Sequence, residues 1–369
     1  MAGGETIELR HSGPPSGITR IHVGEGVLAP AVAAESELFA GRAIFAVTSP
    51  TIVENHGAAL VPLVEAGAAF TLLDVPDGEA AKSLAEAGKL WERLATGGGK
   101  RDSLVVAFGG GSIGDLAGFV AATFLRGVRF VQIPTTLLAQ VDASIGGKSG
   151  VDLASGKNLV GAFHAPELVI SDSLFLATLP PEELRSGLVE AIKMAALLDL
   201  ELLARIERDL PALLAGEAAA LAPVVRSAAT AKARLVERDP FEAGDRMLLN
   251  YGHTLGHAIE AEVGYGRMPH GDAVAWGIRF ANRLAARRGT DPVFLARIDA
   301  LLDRLQIPAP AGLDPARLEA RMARDKKARE SGLTWVLPVG AGKGARVSDL
   351  APGAVREELG SFLATLPAG

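Results

Sequence analysis

Apolar residues fall in two rhythms along this chain. Up to about residue 178 they come in strand-length groups closed by turn residues. Ile7 and Leu9 alternate with Thr6, Glu8 and Arg10, and Ile21 and Val23 alternate with Arg20 and His22, so residues 5–25 predict two short strands. Ala43 to Val47, Ala69 to Val75, Ser103 to Phe108 and Phe130 to Ile133 are further apolar strands. A helix starting at Pro50, where proline suits the first turn, and one from about Ala80 to Thr96 separate the earlier ones. Strand, helix, strand, helix without an internal repeat predicts a parallel sheet with crossover helices. From Pro180 the spacing becomes helical. Pro181 to Leu198, Leu200 to Leu214, Ala218 to Glu237, Leu255 to Val263, Asp272 to Arg288 and Val293 to Leu305 are rich in Ala and Leu, and no strong strand pattern returns before Leu333 to Leu337. The chain therefore predicts an α/β domain over residues 1–178 and a mainly α-helical domain over 179–369. A cleft between two such domains is a common ligand site.

Composition narrows the classes of function. A length of 369 residues suits two domains, and 49% apolar residues suffice for sizeable cores. A net charge of −6 argues against a general nucleic-acid binder. There are no cysteines, so any metal must use His, Asp or Glu. The N-terminus lacks a basic-then-apolar signal layout, and glycines with Asp115 interrupt the most apolar run, Leu104 to Leu125. A soluble, cytoplasmic protein without a membrane span is the expectation.

The densest chemistry lies between Gly109 and Phe163. GGGSIGD follows an apolar strand directly, where glycines let a ligand approach the backbone and a helix N-terminus offers N–H groups to an anion. Taken alone it is not the usual GxGxxG. Thr135, Thr136, Gln140 and Asp142 follow, then the turns Gly146-Gly147-Lys148 and Gly156-Lys157-Asn158. Two lysines on glycine turns suit a nucleotide and phosphate site. Asp77 and Glu79, in DGEAAK at a strand end, could accept from a ribose hydroxyl or simply favour a helix N-terminus.

Three of the seven histidines, His253, His257 and His270, fall within eighteen residues. His253 and His257 are four apart and share a helix face, which suits a metal or a buried hydrogen-bonded pair. Glu190 sits on an otherwise apolar helix and needs a partner there. A Glu/His/His set with open positions is a catalytic zinc arrangement, and spacing leaves open which two histidines take part. Arg126, Lys148, Asn158, Lys193, Lys232, Arg246, Asn250 and one or both of Lys326 and Lys327 fit a small substrate carrying a carboxylate and a phosphate.

These motifs, from DGEAAK through GGGSIGD, GGK, GKN, SGLVEAIK, AKARLVERD, DRMLLN, NYGHTLGHAIEAE and PHGDA to DKK, closely resemble those of the 3-dehydroquinate synthases, a family of sugar phosphate cyclases. The resemblance runs from about Asp77 to Gly340. It implies a Rossmann-like NAD-binding domain and a helical metal- and substrate-binding domain. By resemblance Asp77, Glu79, Lys82, Gly110, Gly111, Ser112, Gly114, Asp115, Thr135, Thr136, Lys148, Lys157, Phe175 and Thr178 contact NAD. Glu190, His253 and His270 are the metal ligands for Zn2+ or Co2+, and His257 holds substrate and moves protons. Lys148, Asn158, Asn250, His257 and Arg126 lie on the phosphate side, with Arg126 reaching across a homodimer interface. Lys232 and Arg246 lie on the carboxylate side, and Asp142 and Lys193 near the hydroxyls at the metal. The implied reaction converts 3-deoxy-D-arabino-heptulosonate 7-phosphate to 3-dehydroquinate and phosphate. Asp152 and Ser149 depart from the family's common Asn and Thr, and Ser49 from its Asn or Asp. The alternatives are another sugar phosphate cyclase or a metal-dependent alcohol dehydrogenase of the same fold group.

Overall fold

Fully apolar runs belong to strands covered on both faces, and the sheet follows that rule. In the computed structural model, which describes residues 4–12, 17–264, 266–324 and 333–366, the strands of the first half are β1 (Glu5–His11), β2 (Gly17–Gly24), β3 (Ala43–Thr48), β4 (Ala69–Asp74), β5 (Leu104–Gly109), β6 (Arg129–Pro134), β7 (Lys148–Leu153), β8 (Gly156–Phe163) and β9 (Leu168–Asp172). Seven of them form one sheet in the order β1-β2-β9-β6-β5-β3-β4. All neighbours pair in parallel except β1, which pairs antiparallel with β2. Side chains alternate between faces. Phe45, Val47, Val105, Ala107 and Phe130 pack in one core with Leu90, Leu94, Leu116 and Val120 of the helices Leu84–Thr96 and Gly111–Thr123. Ile44, Ala46, Val106, Phe108, Val131 and Ile133 pack in the other with Leu28, Val32, Phe39 and Leu63.

The chain divides into two compact units, Met1–Leu184 with Pro211–Phe241, and Arg185–Leu210 with Glu242–Gly369. The helix Ala218–Arg238 packs on β1 and β2 and so lies in the first unit, although it follows the point where the sequence turns helical. The second unit is mainly helical. It holds Leu200–Leu214 up to Leu210, then His253–Val263, His270–Arg287, Pro292–Arg304, Pro315–Arg324 and Pro352–Ala364, plus a hairpin of Trp335–Gly340 and Lys343–Val347. None of the helices among the described residues is long and apolar enough to cross a membrane.

Two local expectations are corrected. The helix expected from Ala80 begins at Leu84, because Gly78–Ala81 is a separate 3-10 turn and Ser83 caps the helix by accepting from Glu86 N–H at 3.2 Å. The two Gly/Lys turns are the starts of paired strands: β7 and β8 form an antiparallel hairpin, with Lys148 opposite Phe163. Lys326 and Lys327 lie outside the described residues.

Candidate active site

One cluster of the expected residues grows from the sheet topology. β3 continues to β4 on one side, whereas β5 lies on β3's other side, so the chain reverses direction between β3 and β5. Ligands of open parallel sheets bind beyond the strand C-termini at such a point. There the Gly-rich turn sits: β5 ends at Gly109, Gly110 is extended, and the helix starts at Gly111. The helix can lie this close only because it lacks side chains where it meets β6 and β7. A Cβ on Gly114 would stand 2.7 Å from Gln132 Oε1, and one on Gly118 would stand 2.9 Å from Ser149 Cβ. Thr135 N–H donates to Gly109 O at 3.0 Å, which ties the β6 end to the same turn, and Thr136 Oγ1 accepts from Ala139 N–H at 3.2 Å.

Around this turn the structure gathers most of the expected nucleotide residues. Ser112 Oγ donates to Glu79 Oε2 at 2.7 Å, and Lys157 Nζ lies 3.1 Å from Glu79 Oε1. Lys82 Nζ donates to Asp115 Oδ2 at 2.9 Å and to Asn158 Oδ1 at 2.6 Å. Burial alone would lower the Lys82 pKa, but the Asp115 carboxylate, with Glu79 and Asp152 around it, raises it and keeps the ammonium charged. Asp152 Oδ1 accepts from Asn158 N–H at 2.7 Å and stabilises that residue in a left-handed conformation, φ +55°. Thr51 Oγ1 holds the Asp77 carboxylate at 2.9 Å. Phe175 is buried edge-on against Phe108, and Thr178 hydrogen-bonds His56 at 2.8 Å. Asp142 lies in a π-turn, Ala139–Ala143, and forms an ion pair with buried Lys232. These two residues, expected near the substrate's hydroxyls and on its carboxylate side, are one pair. Lys148 is exposed at the start of β7. Arg126 is exposed in a turn where Leu125 and Arg126 both take positive φ, 50° and 67°.

A second cluster lies wholly in the helical unit. Two helices carry the three histidines, and glycines allow their backbones to touch. A Cβ on Gly277 would stand 1.8 Å from Gly252 O. The start of the His270–Arg287 helix meets residue 186 in the same way: a Cβ on Gly271 would stand 2.3 Å from Ser186 O. Gly271 N–H donates to Ser186 Oγ at 2.9 Å, and Arg185 makes a two-pronged contact with buried Asp272 at 2.9 and 2.7 Å. Those contacts bring Glu190, four residues beyond Ser186, to the imidazoles. His253 Nε2 and His270 Nε2 lie 3.8 and 3.7 Å from the same oxygen, Glu190 Oε1. His253, His257 and His270 offer ring nitrogens within 4.8 Å of one another. Glu190 and Lys193 form a fully buried ion pair one helical turn apart. Arg246 is buried, and Asn250 Nδ2 donates to Glu242 Oε1 at 2.6 Å.

The donor chemistry fits a divalent cation. His270 Nδ1 donates to Glu260 Oε2 at 2.8 Å and His253 Nδ1 donates to Tyr251 O at 3.3 Å, so each ring turns its Nε2 lone pair toward Glu190. Burial would lower the His270 pKa, but the Glu260 hydrogen bond and charge raise it. Carboxylate plus imidazoles is a zinc-type set. Sequence reasoning missed Glu260 and Glu242. Glu260 carried a usable signal: it is a carboxylate on the apolar face of HTLGHAIEAEV, the same sign that singled out Glu190. Glu242 is held in a left-handed conformation, φ +58°, which no residue pattern announces.

Known proteins match along the length of this chain. The model of the 3-dehydroquinate synthase N-terminal region matches residues 72–186 and that of the C-terminal region matches 187–328. A 3-dehydroquinate synthase from Symbiobacterium thermophilum is 44% identical over 342 residues, 91% of this chain and 95% of that one. Among solved structures, 2-epi-5-epi-valiolone synthase from Streptomyces hygroscopicus subsp. jinggangensis, with NAD+ and Zn2+ bound, superposes with a TM-score of 0.84 at 28% identity, covering 93% of this chain and 96% of that one. A 2-deoxy-scyllo-inosose synthase complexed with carbaglucose-6-phosphate, NAD+ and Co2+ gives 0.84 at 27%, covering 96% and 99%. The two family regions follow one another without a gap over residues 72–328. On sequence and fold alike, this chain belongs to the 3-dehydroquinate synthase family.

Proposed function

We propose that the protein converts 3-deoxy-D-arabino-heptulosonate 7-phosphate into 3-dehydroquinate and inorganic phosphate, in the shikimate pathway toward aromatic amino acids, as a cytoplasmic homodimer using NAD and one Zn2+ or Co2+. The observation that carries this reading is the convergence of His253 Nε2 and His270 Nε2 on Glu190 Oε1, with Glu260 fixing His270 from behind. The relative at 44% identity bears the synthase name, whereas the solved valiolone and inosose synthases stand at 28% and 27%, which favours the dehydroquinate reaction over its sister cyclisations.

C5 of the substrate must become a ketone briefly, so that the C6 proton is acidic enough for phosphate to leave. C5 is then reduced, the ring opens, and the enol closes on the C2 ketone. When bound, NAD supplies the acceptor and donor of the C5 hydride, and the metal polarises the C5 oxygen. Glu190, His253 and His270 hold the metal. Glu79, Lys82, Ser112, Asp115 and Lys157 hold the dinucleotide beside the Gly110-Gly111 turn, with Asp77, Gly114, Thr135, Thr136, Phe175 and Thr178 completing its site. Lys148, Asn158, Asn250 and His257, with Arg126 from a neighbouring subunit, hold the phosphate, and His257 relays protons. Lys232 and Arg246 orient the carboxylate, while Asp142 and Lys193 face the hydroxyls. The substrate's own phosphate takes the C6 proton, so these side chains need position and charge and no separate strong base. Incubating the purified protein with the heptulosonate phosphate, NAD and Zn2+ tests this. The expected product is the dehydroquinate carbocycle, identified by NMR; recovery of unchanged substrate would refute it.

A further inference from the structure

A buried polar chain runs away from the histidine cluster through the helical unit. Tyr251 is fully buried, and its hydroxyl donates to Asn282 Oδ1. Asn282 is also buried, on the helix His270–Arg287, and its Nδ2 donates to Asp299 Oδ1 at 2.9 Å on the helix Pro292–Arg304. An ionised aspartate carboxylate can only accept, which fixes the asparagine amide's orientation and makes the tyrosine the donor. Each member thus has one role. The other end is the Tyr251 carbonyl, which accepts from His253 Nδ1. That carbonyl belongs to no regular element. It lies between the 3-10 turn Asp245–Asn250 and Gly252, whose φ is +80°, so no helical or sheet hydrogen-bond ladder defines its position.

We infer that Asp299, Asn282 and Tyr251 are positioning residues for the metal: by anchoring the Tyr251 ring they fix its carbonyl, and the carbonyl fixes the tautomer and direction of His253. His270 has its own anchor in Glu260, so each of these two imidazoles is oriented by a different group. The inference rests on the metal reading above. A chain serving only as internal glue would not need to end on the carbonyl that orients a ring in the site.

The test is Co2+ titration, followed by its visible absorption, of the wild-type protein and four variants. Tyr251→Phe and Asp299→Ala should each weaken Co2+ binding by about 10- to 100-fold, as loss of a group that orients a ligand does. Asp299→Asn keeps an oxygen acceptor for Asn282 and should restore binding to near wild type. Ile298→Ala, which removes a buried side chain from the same helix, should lower the melting temperature and leave Co2+ affinity unchanged. Equal Co2+ affinity in wild type, Tyr251→Phe and Asp299→Ala overturns the inference, as does equal weakening by Ile298→Ala. If Tyr251→Phe fails to fold, the Asp299 pair decides alone. A wild-type protein that binds no Co2+ would instead refute the metal reading on which the chain depends.

Discussion

Replacing Gly277 with alanine tests whether helix contact builds the histidine cluster. The added Cβ would stand 1.8 Å from Gly252 O, 2.8 Å from Gly252 C and 2.9 Å from Gly256 N, all backbone atoms that cannot swing aside. Reaching ordinary contact requires the two helices to part by roughly 1.5 Å, an overpacking that costs about 1–3 kcal/mol. The motion separates Gly252, and with it His253 and His257, from the helix that starts at His270. Metal–ligand distances tolerate only about 0.2 Å. Gly277→Ala should therefore lose metal, by at least about tenfold in affinity, as well as melt earlier. Metal content of the purified protein and a thermal melt measure the two effects. Gly353→Ala, where no heavy atom lies within 4 Å, is the control. A Gly277→Ala protein that melts like wild type and carries a full complement of metal would refute the reasoning.

Other substitutions follow from the same contacts. Gly88 lies inside the helix Leu84–Thr96 with nothing within 4 Å of its absent Cβ, so Gly88→Ala should raise stability by about 0.5–1 kcal/mol in a denaturant melt. Lys148→Ala and Arg246→Ala should each cut turnover roughly 30- to 150-fold, the loss of about 2–3 kcal/mol of charge-assisted contact, with the melt of Lys148→Ala unchanged. Glu190→Ala, His253→Ala and His270→Ala should empty the metal site, while His257→Ala keeps metal and turns over slowly. Metal loss from His257→Ala together with retention by His270→Ala would exchange their roles.

The parallel sheet was legible because its central strands are nearly continuous apolar runs, as burial on both faces demands, and Ala43–Thr48 and Leu104–Gly109 stand almost where the pattern put them. The β7/β8 hairpin was not legible: its sequence, KSGVDLASGKNLVGAF, is so rich in glycine and polar residues that it reads as turns. Nor could periodicity show that Ala218–Arg238 packs on β1 and β2, since an amphipathic helix does not declare which sheet or helix covers it. Residue types marked Glu190 and the histidines, but the reason that they meet lies in Gly252, Gly271 and Gly277, whose role is to be absent side chains. The pairings of Lys82 with Asn158, and of Asp142 with Lys232, join residues 76 and 90 positions apart and depend on the completed fold.

The synthase reading makes one demand that no simple dehydrogenase shares: the hydride leaves and returns within each turnover. The decisive measurement follows phosphate release and NADH absorbance together, with NAD far below the substrate concentration. Phosphate should reach the full amount of substrate added while NADH stays near zero. One NADH formed for each phosphate, or turnover that halts when the NAD is spent, would contradict the synthase reading and favour a dehydrogenase.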